Sequence, residues 1–221
     1  MPGGAMGGSG MSAAMIRVFG NDRPFTAKSD IKMESGGEET LSMTMDIAFS
    51  DGVFRGELDL NNVKGAQFPP QAMAQIKMLG MDKMVNVVRH EKKTMTLIYP
   101  TLKAYVVMPL PAGEAADKEP KIEKTELGKE TVDGQACVKN KLIITGDQGT
   151  KHEVTVWNAV DLKEFPVQMK FNESGSEITM KFKEIKQGKP SPTLFEPGTD
   201  FQKYENIQRL MMEKMMAPGK N

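Results

Sequence analysis

Residues 124–171, KTELGKETVDGQACVKNKLIITGDQGTKHEVTVWNAVDLKEFPVQMKF, decide the fold class. Two turn signals, Val132-Asp133-Gly134-Gln135 and Gly146-Asp147-Gln148-Gly149, divide the stretch into three runs of strand-forming residues. A third break, Asn158 to Pro166, precedes one more strand. Asp-Gly and Gly-rich tetrads between β-branched runs mark hairpins, because the tight turns that match strand twist need positive φ at their centre. The stretch predicts a meander of antiparallel strands.

The same pattern runs outward from it. Phe25, Ala27, Ile31 and Met33 alternate with Thr26, Lys28, Asp30 and Lys32. Beyond Gly36-Gly37, the stripe Leu41, Met43, Met45, Ile47 and Phe49 alternates with Ser42, Thr44, Asp46 and Ala48. Beyond Asp51-Gly52, Phe54, Gly56, Leu58 and Leu60 form a third stripe. Period two held over such lengths means half-buried strands in a one-sided antiparallel sheet. Further strands are predicted over 85–89, 94–99, 103–108 and 177–185.

The period changes after Asn61-Asn62. Pro69-Pro70 opens a helix, since proline fits a first turn. The spacing predicts a helix over 70–83, with Met73, Ile76, Lys77 and Gly80 on one stripe and Gly80 weakening its interior. A second helix is predicted over 205–216, with Ile207, Leu210, Met211 and Met215 on one face. Residues 1–24 are rich in Gly, Ala, Met and Ser and have little to bury, so they read as a mobile tail. An antiparallel sheet of roughly ten strands curls or closes. The expected fold is mainly β (α+β): a curved, unclosed antiparallel half-barrel with a covering helix and a short C-terminal helix. The expected division is a tail over 1–24, a half-barrel domain over 25–204, and a C-terminal helix and tail over 205–221.

Composition narrows the function. Lys+Arg and Asp+Glu both number 29, so the net charge is zero, and nucleic acid held by bulk charge is excluded. The single cysteine, Cys137, excludes an intramolecular disulfide and a multi-thiolate metal site. No window approaches the ~20 apolar residues of a transmembrane helix. Residues 1–10 lack the basic start and apolar stretch of a signal peptide. That fits a cytosolic protein or a mature chain whose leader was replaced by Met1. The chain has 19 Met against 10 Phe, and methionine fills irregular or adaptable apolar space.

No catalytic pair survives inspection. Cys137 and His152 lie on the two strands of one hairpin. Its predicted register puts His152 near Ile143 and Cys137 near Asn158, an offset of roughly 20 Å at ~3.3 Å per residue. A nucleophile and its base need hydrogen-bond reach. Cys137 therefore reads as a small buried thiol. His90, within Arg89-His90-Glu91-Lys92-Lys93, reads as part of a solvated turn without partners for zinc. The groups Met73/Met78/Met81/Met84, Met43/Met45 and Met211/Met212/Met215/Met216 offer soft thioethers, but the strand members share their stripes with Leu, Ile and Phe. Carboxylates are scattered singly on polar stripes, not isolated in apolar surroundings as a shifted general acid requires. Gly146 and Gly149 precede a strand, whereas a phosphate loop precedes a helix. Trp157 reads as a core anchor. The expectation is a non-enzymatic protein without a cofactor or metal.

Several segments resemble a known family. They are Phe25-Thr26-Ala27; Glu130-Thr131-Val132-Asp133-Gly134-Gln135-Ala136-Cys137; Val156-Trp157 followed by Pro166-Val167; Leu194-Phe195-Glu196-Pro197; and Phe201 to Tyr204. Their order resembles a bacterial envelope family known as a domain of unknown function, similar in layout to the LolA-like lipoprotein-carrier half-barrels. The resemblance spans about residues 25–204. It implies a half-barrel with a helix lid, a periplasmic or secreted location, and an apolar ligand: an acyl chain, a lipid or a lipoprotein. It also admits an envelope protein as partner. No N-terminal lipidation cysteine is present, so membrane anchoring has no support. The expected cavity lies between sheet and helix, lined by Met43, Met45, Ile47 and Phe49 on one side and Met73, Ile76 and Met84 on the other. The alternative is a structural or sensory protein-interaction module in which the same space is fully packed.

Overall fold

The computed structural model describes residues 18–19, 23–65, 70–110, 121–145, 149, 151–173 and 175–216. Twelve strands form one sheet among them. The first meander comprises β1 (Phe25–Ser35), β2 (Glu38–Ser50), β3 (Val53–Asp59), β4 (Lys83–Arg89), β5 (Thr94–Tyr99) and β6 (Ala104–Pro109). The second comprises β7 (Lys121–Val132), β8 (Gln135–Thr145), β9 (Lys151–Ala159), β10 (Phe165–Glu173) and β11 (Ser176–Gln187). Helix α1 (Pro70–Met78) interrupts the first meander, and β12 (Gln202–Tyr204) and helix α2 (Ile207–Met216) follow the second. The spatial order is β12-β6-β5-β4-β3-β2-β1-β11-β10-β9-β8-β7, so β1 and β11 join the two meanders at the centre and the sheet stays unclosed.

The turn residues explain the hairpins. Asp133 and Gly134 have φ of 46° and 84°, the left-handed pair required by the tightest hairpin, and they join β7 to β8. The second tetrad lies mostly outside the described residues. Every strand pair is antiparallel except β12 with β6. The count is twelve against the roughly ten expected; the strand that no segment predicted as strand covers is β12, a three-residue parallel strand that alternation cannot reveal.

Both faces of the sheet are in use. On the inner face, one apolar cluster runs from Phe54 and Val88, through Phe25, Ile31, Ile47 and Phe49, to Met180, Met169, Val156 and Leu142. Phe19 belongs to it and is 3% exposed, so a residue assigned by sequence to the tail lies in the core. On the outer face of the first meander, Ala48, Val85, Val87 and Ile98 are covered by Phe195, with Phe201 packed alongside. Arg89 fixes that cover by donating from Nη2 to the Phe195 carbonyl at 2.6 Å and to Glu196 at 2.8 Å. The outer face of the second meander is wet. There Lys181 meets Asp133 at 3.1 Å, and Lys183 of β11 meets Asp30 of β1 at 2.6 Å across the seam, both solvent-screened surface pairs.

The C-terminal segment wraps the sheet edge. It crosses the outer face at Phe195 and Phe201, adds β12 beside β6, and returns as α2 with Leu210 fully buried against Leu97, Tyr99, Ala104 and Val106. Asn206 caps α2, its Oδ1 accepting from the Arg209 amide at 2.8 Å. Tyr204 donates its hydroxyl to Glu213 at 2.7 Å. Burial, then that carboxylate, push the phenol up to about 12. Ile207 and Leu210 point inward as expected, but Met211 and Met215 do not: they are 37% and 64% exposed.

Candidate functional site

The expected cavity depended on a long helix lying across the sheet. Helix α1 ends at Met78 rather than at residue 83. Gly80 does not weaken its interior; it terminates it. Gly80 adopts φ of 69°, its amide donates to the Lys77 carbonyl, and the Met81 amide donates to the Ile76 carbonyl, which is a left-handed helix stop. A Cβ at Gly80 would lie 3.0 Å from Leu102, so the end of α1 abuts the β5–β6 turn. None of the three apolar clusters among the described residues includes an α1 residue. Met73 and Ile76 are half-buried on α1, and Met78 is 80% exposed. Met84 is not on the helix at all. It is on β4, in register with Leu58 and through it with Met45, so Met45 and Met84 share one face of the sheet roughly 10 Å apart at ~4.8 Å per strand.

The sheet residues divide by depth. Ile47 and Phe49 are 3% and 1% exposed and belong to the closed core. Met43 and Met45 are half-buried at its margin, as are Met33 and Phe171 across the sheet centre and Met95 on β5. Met84, Met81 and Met108 are half-buried around the second cluster beneath α2. The inner wall thus has a packed aromatic floor and a partly uncovered methionine margin. Its inward stripes on β1 to β4 carry no ionisable side chain between Phe25 and Met33, Leu41 and Phe49, Phe54 and Leu58, or Met84 and Val88.

Sequence reasoning overlooked two members of that wall. Ser29 and Asn86 stand on the inward stripes of β1 and β4. The alternation of Phe25, Ala27, Ile31 and Met33 required position 29 to face inward, so parity was the available signal.

Cys137 pairs with Ala159 and His152 with Ile144, one residue from the expected register and seven positions apart along β8. At ~3.3 Å per residue that is roughly 23 Å, beyond any proton transfer. Cys137 is 1% exposed, its Sγ lies 3.4 Å from the Gln135 carbonyl, and burial pushes the thiol up. Cys137→Ala is therefore expected to fold at a cost of about 1–3 kcal/mol, and the wild-type thiol to react with a disulfide reagent only on unfolding. Rapid labelling of the native protein would contradict this. Trp157 is 6% exposed, donates to Glu130 at 2.6 Å, and has the Lys139 ammonium 5.1 Å from its ring. Hydrogen bonds from Lys139 and then Trp157 hold the Glu130 carboxyl below its usual range. Among the described residues, no group of three or more His, Cys, Asp or Glu could hold a metal, and no helix is long and apolar enough to cross a membrane.

No family model matches the chain, and no curated protein does. Solved structures do match. One is a LolA superfamily protein from Nitrosomonas europaea, at 11% identity and a TM-score of 0.38, covering 80% of this chain and 91% of that one. Another is the lipoprotein LppX of Mycobacterium tuberculosis, at 11% identity and a TM-score of 0.40, covering 78% and 90%. A third is the MucA/MucB complex of Pseudomonas aeruginosa, at 14% identity and a TM-score of 0.39, covering 85% of this chain and 61% of that one. The LolA-like group that the sequence resembles is thus present among the matching structures.

Proposed function

We propose that the protein is a non-enzymatic envelope protein, periplasmic or secreted, that binds an apolar ligand on the inner wall of its half-barrel. The ligand class is an acyl chain, free or carried by a lipid or lipoprotein. The observation that carries this reading is the margin of half-buried methionines on the inward stripes: Met33, Met43, Met45, Met84 and Met95. Long, unbranched thioethers repack around ligands of varied shape. A partly uncovered apolar face on a soluble domain marks a binding surface. Ile47 and Phe49 form the floor behind the margin.

The test is fluorescence titration with 1,6-diphenylhexatriene, a hydrocarbon probe, beside native mass spectrometry of protein purified without delipidation. Each buried CH₂ contributes about 0.8 kcal/mol, so micromolar binding is expected after association costs. Met43→Trp should weaken probe binding without lowering stability. In a solid core the same change would overpack and cost about 1–3 kcal/mol.

A second reading, a structural or sensory protein-interaction module, is favoured by the outward face of α2. That face leaves Met212 and Met216 exposed beside Arg209 and Glu213. No probe binding, no co-purified lipid and a destabilised Met43→Trp would favour it.

A further inference from the structure

The inner wall is apolar but holds two polar side chains that the fold leaves unpartnered. Ser29 is 0% exposed, and its Oγ has no hydrogen-bond partner among the described residues. It stands between Ala27 and Ile31, with Met45 opposite it on β2 and Phe182 opposite it on β11. Asn86 stands on β4 opposite Gly56. It is half-buried, and its amide makes no hydrogen bond among the described residues. Asn140 on β8 shows what a purely structural asparagine does in this sheet. Its amide donates to the Val138 carbonyl at 3.2 Å and to Asn158 at 2.8 Å.

Gly56 connects the two groups. A Cβ there would lie 2.5 Å from Asn86 Oδ1 and 2.7 Å from Met45 Cε. The missing side chain leaves room that the amide and the methionine methyl share. Met45 therefore lies beside the Asn86 amide and, by register, opposite Ser29, and it is the most deformable kind of side chain for that place. Leaving a buried polar group unpaired costs more than pairing it contributes, so the Ser29 hydroxyl points to a partner outside the fold, while the half-buried Asn86 amide beside it is open to one.

We infer that the ligand of this wall carries a neutral hydrogen-bonding group, an ester, amide or hydroxyl, within its apolar body, which Asn86 binds and which reaches Ser29 when Met45 swings aside. This rests on the apolar-ligand reading above and narrows it. An amide and a hydroxyl each donate and accept, which suits neutral polar groups. The absence of ionisable side chains on the inward stripes of β1 to β4 leaves a carboxylate without a counter-charge there.

The experiment is displacement of bound 1,6-diphenylhexatriene by two competitors of equal chain length, monododecanoylglycerol and dodecanoate. The neutral ester is expected to displace the probe at about tenfold lower concentration, the effect of one or two hydrogen bonds. Asn86→Leu should erase most of that ratio, and Ser29→Ala part of it. Ser29→Ala loses no protein partner, so its melting temperature should not fall. Equal displacement by the two competitors, or a preference that survives both substitutions, would overturn the assignment while leaving the apolar site intact. Absence of probe binding would sink the site itself and this inference with it. A destabilised Ser29→Ala would show that the hydroxyl serves the fold and would remove it from the proposal.

Discussion

A Phe19→Ala protein is expected to lose about 3–5 kcal/mol of stability, the usual cost of deleting a buried phenyl ring. Phe19 is 3% exposed and lies among rings from three strands. Its centroid is 4.8 Å from Phe25, 5.6 Å from Phe165 and 5.1 Å from Phe182, the last at 84°. Edge-on and tilted pairs at such separations add to the transfer term. Phe25 and Phe165 are themselves packed at 4.9 Å and 78°, so the remaining rings hold one another in place and cannot readily collapse into the void. A cavity that cannot collapse lies at the costly end of the range. For a chain of this size the melting temperature should fall by about 10 °C. A fall of less than about 2 °C would mean that Phe19 is not docked in solution. The consequence extends to design: a truncation placed at residue 24, as the sequence invites, removes a core ring along with the polar segment.

The contrast between Phe19 and the strands shows what was legible. Strand positions carried their own evidence. The side chains of β1 to β3 alternate over so many residues that their inward stripes follow from parity alone, and Asp133-Gly134 marked its hairpin by the one backbone conformation that few other pairs tolerate. Phe19 carried no such evidence, because a single aromatic between Ile16-Arg17-Val18 and the polar run Asn21-Asp22-Arg23 has no period. It docks because three strands separated in sequence bring Phe25, Phe165 and Phe182 together, a fact of topology. The same holds for β12, whose pairing is set by Phe195 and Phe201 crossing the outer face and not by its own three residues. The candidate site was half legible. Met43, Met45 and Met84 do share a face, through strand register and not through the expected helix. The expected helix is too long because Gly80 continues the stripe of Met73, Ile76 and Lys77, with Leu79 and Met84 close by, so that periodicity alone cannot distinguish an interior glycine from a stop. Ser29 and Asn86 were passed over because a polar residue on an apolar stripe breaks the pattern by which stripes are recognised.

Leu210→Ala is the second substitution expected to have a large effect, about 2–5 kcal/mol for a fully buried leucine. Its effect should be local first. Leu210 is the one α2 residue buried in full among those described, and it seats the helix on Leu97, Tyr99, Ala104 and Val106. Besides Ile207, half-buried on the same cluster, the remaining ties are polar: the Tyr204–Glu213 hydrogen bond at 2.7 Å and the Asn206 cap at 2.8 Å. A typical hydrogen bond contributes about 0.5–1.5 kcal/mol, so these alone cannot hold a ten-residue helix against its conformational entropy. Once α2 lifts, β12 keeps its short parallel ladder to β6, which includes the Gln202 amide on the Lys103 carbonyl at 2.8 Å, and a Tyr204 ring that has lost its cover on one side. Amide exchange in Leu210→Ala should therefore accelerate across 202–216 while the exchange of β1, β2, β10 and β11 changes little at moderate temperature. Tyr204→Phe should loosen the same segment by less, since it removes the bond to Glu213 and leaves Leu210 in its seat. Uniform acceleration over the whole sheet would instead mean that the C-terminal wrap belongs to one cooperative unit with the core.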